Sequence, residues 1–180
     1  MKKILFIIGS LKKESTNKML SDVAAQILDG RAEIRLLEYR DVPMINPDEE
    51  FPTPESVARI RQEVAEADGV WIFFPEHNYS YPGVLKNLID WLSRPTEKGG
   101  SRKTAASSDV KVTYSCMSGS SCGEKAFPKM EELLTKMHMD IMKEPLAGLG
   151  HATVEDGRLV LSEEEMDMIR RQAEAFLAFL

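Results

Sequence analysis

Two polar stretches of this 180-residue chain carry the side chains best suited to chemistry. The first spans residues 76–80 and contains His77, whose imidazole could donate or accept a proton near neutral pH. In the second, hydroxyl residues and lysines come between Gly9 and Asn17, just before a helical pattern. The sequence therefore offers a candidate proton-transfer group and a candidate anion site. For His77 the alternative role is packing or hydrogen bonding.

The stretch from Gly9 to Asn17 combines small hydroxyl side chains with lysines at the expected N-terminus of a helix. Backbone N–H groups and the helix dipole favour a phosphate group at such a place. The stretch lacks both the G-x-G-x-x-G fingerprint and the G-x-x-x-x-G-K-[ST] motif, so a monophosphate fits better than a dinucleotide or a nucleoside triphosphate. A competing interpretation is that Ser15 or Thr16 only caps the helix.

The polar loop at residues 76–80 lies between a strand pattern and a helix pattern. The apolar run of residues 72–74 breaks at Pro75, and Pro82-Gly83 opens a segment with apolar residues at helical spacing. In an open α/β sheet, ligands bind at loops that leave the carboxyl ends of strands. Residues 76–80 are therefore site candidates, and an ordinary surface loop is the alternative.

A third loop, residues 115–123, follows the β-branched strand pattern of residues 110–114 and is rich in Ser and Gly. Small side chains leave the backbone uncovered, so a ligand could approach it closely. The loop also contains Cys116 and Cys122, which could form a redox pair or could simply be buried or half-buried thiols.

Strand and helix patterns alternate along the whole chain. We expect strands at residues 3–8, 32–39, 70–74, 110–114 and 140–145, a hairpin at 154–160, and a final helix capped by Ser162 with Glu165. This order predicts an α/β fold: a flavodoxin-like, doubly wound sheet of five parallel strands in the order 2-1-3-4-5, with helices on both faces. In that order the three loops lie side by side, where a flavin mononucleotide would bind.

Composition narrows the possible partners and location. The formal charge is -6 and no basic block occurs, so we expect no nucleic-acid partner. No apolar run is long enough for a secretion signal or a membrane span, which predicts a cytoplasmic protein without membrane contact. The length favours one domain over residues 1–180, and the proline-rich connection at 40–53 could serve as a lid or a subunit contact.

With these motifs identified, the chain resembles the NADPH-dependent FMN reductase family, which includes quinone, azo-dye and chromate reductases. Residues 75–91 read Pro-Glu-His-Asn-Tyr-Ser-Tyr-Pro-Gly-Val-Leu-Lys-Asn-Leu-Ile-Asp-Trp. The family shows Pro-Glu-Tyr-Asn-x-Ser-x-Pro-Gly-x-Leu-Lys-Asn-x-Ile-Asp-Trp. Gly9-Ser10 with Ser15 and Asn17 also matches the family's phosphate loop. His77 stands where the family usually has Tyr, and Cys122 stands where it commonly has Gly.

The resemblance implies three groups of FMN-binding residues, around the phosphate, along the ribityl chain and ring edge, and beside the ring. In chain order they are Ser10, Lys13, Ser15, Thr16, Asn17, Pro75, Glu76, His77, Asn78, Tyr79, Ser80, Ser115, Ser118, Gly119 and Gly123. No catalytic side chain and no metal ligand are expected, because a flavin carries the hydride chemistry itself.

The function implied is an oxidoreductase that passes a hydride from NADPH or NADH to FMN and then reduces a quinone, an azo compound, a flavin or a similar small acceptor. The resemblance also implies a homodimer or homotetramer. Two alternatives stay open on the same fold: a flavodoxin-type electron carrier and a flavin-free regulatory protein.

Overall fold

The computed structural model describes all 180 residues, which form a central parallel sheet, five α-helices and a separate hairpin. The elements are β1 (Lys2–Ile8), α1 (Thr16–Ile27), β2 (Ala32–Leu36), α2 (Glu55–Glu66), β3 (Gly69–Phe74), α3 (Gly83–Leu92), β4 (Lys111–Met117), α4 (Phe127–Lys136), β5 (Asp140–Ile141), β6 (Gly148–Leu149), β7 (Thr153–Glu155), β8 (Arg158–Val160) and α5 (Glu163–Phe179).

The sheet order is β2-β1-β3-β4-β5, with β6 also paired to β4, and all of these pairs are parallel. This order confirms the predicted flavodoxin-like, doubly wound topology. It brings the carboxyl ends of β1, β3 and β4 to one edge of the sheet, where the three loops identified from the sequence begin.

Helices cover both faces of the sheet, which explains the continuous apolar runs of the central strands. One face packs Phe6, Trp71 and Phe73 against apolar residues of α1 and α5. The other face packs Ile7 and Ile72 with apolar residues of α2, α3 and α4. None of the helices has the length and apolar composition needed to cross a membrane.

Three strand predictions were wrong at their ends. The second strand ends at Leu36 and not at residue 39. The fourth strand continues to Met117, so Ser115 and Cys116 belong to β4 and not to the loop that follows it. The fifth strand, predicted at residues 140–145, ends at Ile141, and a further short strand, β6, begins only at Gly148, so the pairing along this side of β4 is divided between β5 and β6. The division contains Pro145, which has no N–H group to continue the ladder. The hairpin β7–β8 and the Ser162–Glu165 capping box are confirmed.

Candidate functional site

A cleft of about 520 Å³ lies at the carboxyl ends of β1 and β3. Six of the site residues predicted from the sequence line it: Ser10, Ser15, Thr16, Asn17, Pro75 and His77. The other lining residues are Gly9, Leu11, Lys12, Pro82, Gly83 and Val84. The structure thus brings the first two predicted loops together, although they are more than 50 residues apart in sequence.

The loop between β1 and α1 presents backbone donors that no protein group uses. The N–H groups of Ser10, Leu11, Lys13, Glu14 and Ser15 have no hydrogen-bond acceptor in the protein. The first N–H groups of α1 follow directly, and a helix leaves these without an internal partner. Free N–H groups at the positive end of a helix dipole fit a dianionic phosphate such as that of FMN.

Two residues of this loop have structural roles that limit what their side chains can bind. Ser15 caps α1, as the competing interpretation predicted, by accepting a hydrogen bond from the Lys18 N–H at 3.4 Å. Asn17 is buried, and its amide donates to the Met117 carbonyl at 2.9 Å and accepts from the Met117 N–H at 3.0 Å. Asn17 therefore fixes the start of α1 to the end of β4.

The lysines of the loop face different spaces. Lys12, which was not among the predicted site residues, lines both the cleft and a neighbouring pocket at the end of β2, whereas Lys13 lines only that neighbouring pocket. Side chains of an irregular loop have no periodicity, so their directions could not be assigned from the sequence. Gly9 also lines the cleft and was not among the predicted site residues. Any larger residue would clash with β3 here, because a Cβ atom at this position would lie only 2.7 Å from the Phe74 Cβ.

Residues 77–80 form a two-residue hairpin turn at the rim of the cleft. The His77 N–H donates to the Ser80 carbonyl at 2.8 Å, and the Ser80 N–H donates to the His77 carbonyl at 3.0 Å. Asn78 and Tyr79 both have positive φ, 51° and 62°, as a type I′ turn requires. This geometry directs His77 to the cleft and leaves Asn78 and Tyr79 exposed outside its lining.

Glu76 connects the second loop to the third. Its carboxylate accepts hydrogen bonds from the N–H groups of Lys125 (3.1 Å) and Ala126 (3.0 Å), just before α4. Its carbonyl accepts from the Ser118 hydroxyl at 3.3 Å. Glu76 is therefore engaged in holding the two loops together, and it does not line the cleft.

None of the residues predicted in the third loop, Ser115, Ser118, Gly119 and Gly123, is among those that line the cleft. Ser115 is buried in β4, where its hydroxyl accepts from Trp71 Nε1 at 2.9 Å and donates to Gln172 Oε1 at 2.8 Å. Gly123 has φ 81°, and a Cβ there would come within 2.7 Å of the Cys116 Cβ. Gly119 faces His151, the residue that follows the end of β6 by two positions.

The two cysteines are both free thiols, and they lie in different environments. Cys116 is fully buried, and burial is the main reason that its pKa rises to about 12. Cys122 is exposed and has a positive φ of 49°. The Cys116 thiol is thus protonated at neutral pH, as expected for a packing residue.

Comparisons with known proteins agree with this geometry. The family model for NADPH-dependent FMN reductase matches residues 2–154. A quinone reductase from Pseudomonas putida is 32% identical over 150 residues, which cover 83% of this chain and 78% of that enzyme. A 2-hydroxy-1,4-benzoquinone reductase from a Burkholderia species is 38% identical over 93 residues, which cover 52% of this chain and about half, 51%, of that enzyme.

Solved structures show the same likeness over the whole chain. FerB, a flavoenzyme NAD(P)H:(acceptor) oxidoreductase from Paracoccus denitrificans, superposes with a TM-score of 0.87 and 28% identity over 99% of this chain and 96% of its own. An archaeal flavodoxin superposes with a TM-score of 0.60 and 13% identity over 98% of this chain and 97% of its own, and at that identity it shows only the shared fold.

Proposed function

The chain belongs to the NADPH-dependent FMN reductase family, and we propose that it holds FMN in the cleft at the ends of β1 and β3 and uses it to reduce a quinone. The observation that carries this proposal is the set of five unpartnered N–H groups in the loop before α1, those of Ser10, Leu11, Lys13, Glu14 and Ser15. They stand at the N-terminus of α1, where the phosphate of FMN would meet five backbone donors and the helix dipole.

Each part of the cleft has a role in this proposal. The backbone of residues 10–17, with the hydroxyls of Ser10 and Thr16 and the ammonium group of Lys12, holds the phosphate. The turn at residues 77–80 borders the ribityl chain and one edge of the ring. Ser118, Gly119 and Gly123 do not line the cleft, but the hydrogen bond from Ser118 to the Glu76 carbonyl ties their loop to the second one, and on this basis they would border the opposite side of the ring, with Ser115 supporting the loop from within β4.

The residues of the cleft would hold FMN, which would supply the hydride-accepting and electron-transferring chemistry between NADPH or NADH and the acceptor. The protein has to bind and orient both molecules and keep the ring face open. The short turn of residues 77–80 at the rim of the cleft leaves room for both molecules. A quinone is favoured as the acceptor because relatives with substantial identity are quinone reductases. His77, at the rim, is placed to hydrogen bond to an acceptor oxygen.

Purified protein tests the proposal directly. After mixing with FMN and desalting, the protein should stay yellow, should bleach with NADPH under anaerobic conditions, and should regain its colour when benzoquinone is added. Protein that retains no FMN would contradict the flavin site. Protein that retains FMN but is not reduced by NADPH or NADH would instead favour the electron-carrier alternative.

A variant locates the flavin phosphate. Ser10→Ala with Thr16→Ala removes two hydroxyls from the cleft and leaves the Asn17 anchor intact. Each lost hydrogen bond to a charged group costs about 1.5–3 kcal/mol, so FMN affinity should fall at least about tenfold, measured by flavin fluorescence titration. Thr135→Ala, at an exposed position of α4, is the control. Equal affinities of the two proteins would contradict the assigned phosphate site.

We also propose that the 180 residues act as one domain and that the protein works in the cytoplasm, where pyridine nucleotides are available. In this proposal it binds no nucleic acid and forms a homodimer or homotetramer.

Support for an oligomer comes from the connection at residues 40–53. Asn87 Nδ2 and Trp91 Nε1 both donate to the Pro43 carbonyl, at 2.9 and 2.8 Å, so the connection is fixed on α3. Met44 is then displayed with 75% of its surface exposed. Light scattering with Met44→Asp as the variant tests this contact.

A further inference from the structure

We propose that a second pocket, between the phosphate loop and the end of β2, binds the 2′-phosphate of NADPH and makes the protein prefer NADPH to NADH. This inference rests on the proposed function. It concerns the adenosine end of the co-substrate, which the flavin cleft does not touch, and it assigns the selection to Lys13 and Arg40.

The pocket has a volume of about 190 Å³ and lies directly beside the flavin cleft. One wall is the loop after β1, and the other is the chain that leaves β2, residues 36–40. Ser10, Leu11 and Lys12 line both the pocket and the cleft. A ligand that extends from one space to the other therefore crosses no intervening element.

The second wall is held in place by buried contacts. The Leu37 N–H donates to the Phe6 carbonyl at 2.9 Å, which continues the β1–β2 ladder by one residue. The buried Tyr39 hydroxyl donates to the Ile8 carbonyl. Since both bonds attach the segment to the end of β1, Arg40 is positioned beside the phosphate loop.

The pocket is basic although the chain as a whole is acidic. Four cationic side chains line it, Lys12, Lys13, Lys18 and Arg40, against one carboxylate, Glu38. Lys18 is paired with Asp22, whereas Lys12, Lys13 and Arg40 have no ion pair anywhere in the protein.

The acid nearest to Arg40 in sequence is already engaged, because Asp41 binds the guanidinium of Arg59 at 2.8 Å. The pocket thus holds unpaired positive charge that the fold does not use. A phosphate monoester carries close to two negative charges at neutral pH and accepts charge-assisted hydrogen bonds from Lys and Arg. The 2′-hydroxyl of NADH offers no such charge.

Two leucines complete the adenosine site. Leu11 and Leu36 border the pocket with 42% and 38% of their surfaces exposed. Their apolar surface suits one face of an adenine ring. Moving from β3 through β1 to β2 crosses two strand spacings, about 10 Å, which an extended dinucleotide can bridge from the flavin ring.

Binding of nucleotide fragments tests the pocket apart from turnover. Isothermal titration of the FMN-loaded protein with 2′,5′-ADP and with 5′-AMP should show at least about tenfold tighter binding of the bisphosphate. The double variant Lys13→Gln with Arg40→Gln should lose about 10- to 100-fold in affinity for 2′,5′-ADP and keep that for 5′-AMP. Lys129→Gln with Lys136→Gln removes the same charge from α4 and should bind like the wild type.

Kinetics should show the same selection. In the single variant Arg40→Gln, which leaves the phosphate loop intact, we expect the KM for NADPH to rise about fivefold or more, while kcat and the KM for NADH change by less than about twofold. Equal binding of the two fragments to the wild type, or equal KM values for NADPH and NADH, would overturn the inference. So would release of FMN by the double variant, which would assign both residues to the flavin phosphate. Failure of both nucleotides to reduce the flavin would refute the proposed function itself.

Discussion

The side-chain amide of Asn17 uses both of its functional atoms on the backbone of Met117, 100 residues away. From the sequence it is a candidate phosphate ligand, and only its neighbours in the chain could be considered. The structure shows a longer-range role, because the amide joins the start of α1 to the end of β4. Its backbone N–H has no acceptor in the protein and stays available to a ligand, so both roles can be measured separately.

We expect Asn17→Ala to lower the free energy of unfolding by about 2–4 kcal/mol even without FMN, because the buried N–H and carbonyl of Met117 lose their partner. Urea denaturation of the flavin-free protein measures this. Gln26→Ala, which removes an exposed amide from the same helix, should change stability by less than about 0.5 kcal/mol. Similar stabilities of the two variants would show that Asn17 is no anchor.

The two thiols should differ sharply in reactivity. Burial raises the Cys116 pKa to about 12 and also blocks access, whereas Cys122 is exposed. At pH 8, iodoacetamide should therefore modify the native protein once, at Cys122, and mass spectrometry of peptides should locate the label. Cys122→Ser should remain unlabelled until it is unfolded. Labelling of Cys116 in the native protein would mean that β4 opens readily at this end.

Among the elements, α5 has a role that its amphipathic pattern does not reveal. Gln172 is fully buried on its apolar face and makes four hydrogen bonds. Its Oε1 accepts from the Ser115 hydroxyl and from the Ala147 N–H at 2.8 and 2.7 Å, and its Nε2 donates to Thr113 Oγ1 and to the Tyr114 carbonyl at 2.8 and 3.0 Å. This single side chain joins α5 to β4 and to the residue before β6.

Gln172→Ala should lower the free energy of unfolding by about 3 kcal/mol, because several buried donors and acceptors lose their partner at once. FMN affinity should fall as well, since the segment leading to Gly119 and His151 is then less well held. Thermal unfolding and flavin titration measure the two effects. The adjacent exposed Arg171→Ala is the matched control, and a loss of the same size there would contradict the role of the network.

These details explain why some elements could be predicted from the sequence and others could not. β1 and β3 are readable because both of their faces are buried, which gives continuous apolar runs. The end of β4 contains Ser115 and Cys116, which resemble a loop until Trp71 and Gln172 are seen to satisfy the serine hydroxyl. The cleft could be located from the strand order, but Lys12 could not be distinguished from Lys13.

For the molecule as a whole, one buried thiol and two buried tyrosine hydroxyls determine how the free energy of unfolding changes at alkaline pH. Burial raises the pKa values of Cys116 and Tyr114 to about 12 each and raises that of Tyr39 further. In the unfolded chain these groups ionise near their ordinary values, 9.0 for Cys and 10.0 for Tyr. The unfolded state therefore loses protons first, so their contribution to stability is complete below pH 9 and is lost as the pH rises toward 12.

We expect the free energy of unfolding to fall by about 1.4 kcal/mol per pH unit for each group once its unfolded form is ionised. Between pH 9 and 10 the loss should come mainly from Cys116, with the tyrosines adding to it above pH 10. Urea denaturation at a series of pH values measures the slope. Cys116→Ala should remove the earlier part of the loss, and an unchanged profile would contradict this assignment.

The division of the fifth strand has one more consequence, which concerns the behaviour of the protein at high concentration. An open edge strand can pair with another molecule and start aggregation. At one side of this sheet, β5 and β6 have only two residues each. At the other side, β2 has five residues and carries Glu33 and Arg35, which pair with each other. Neither edge offers a long apolar template, so the break between β5 and β6 helps to protect the folded protein from edge-to-edge association.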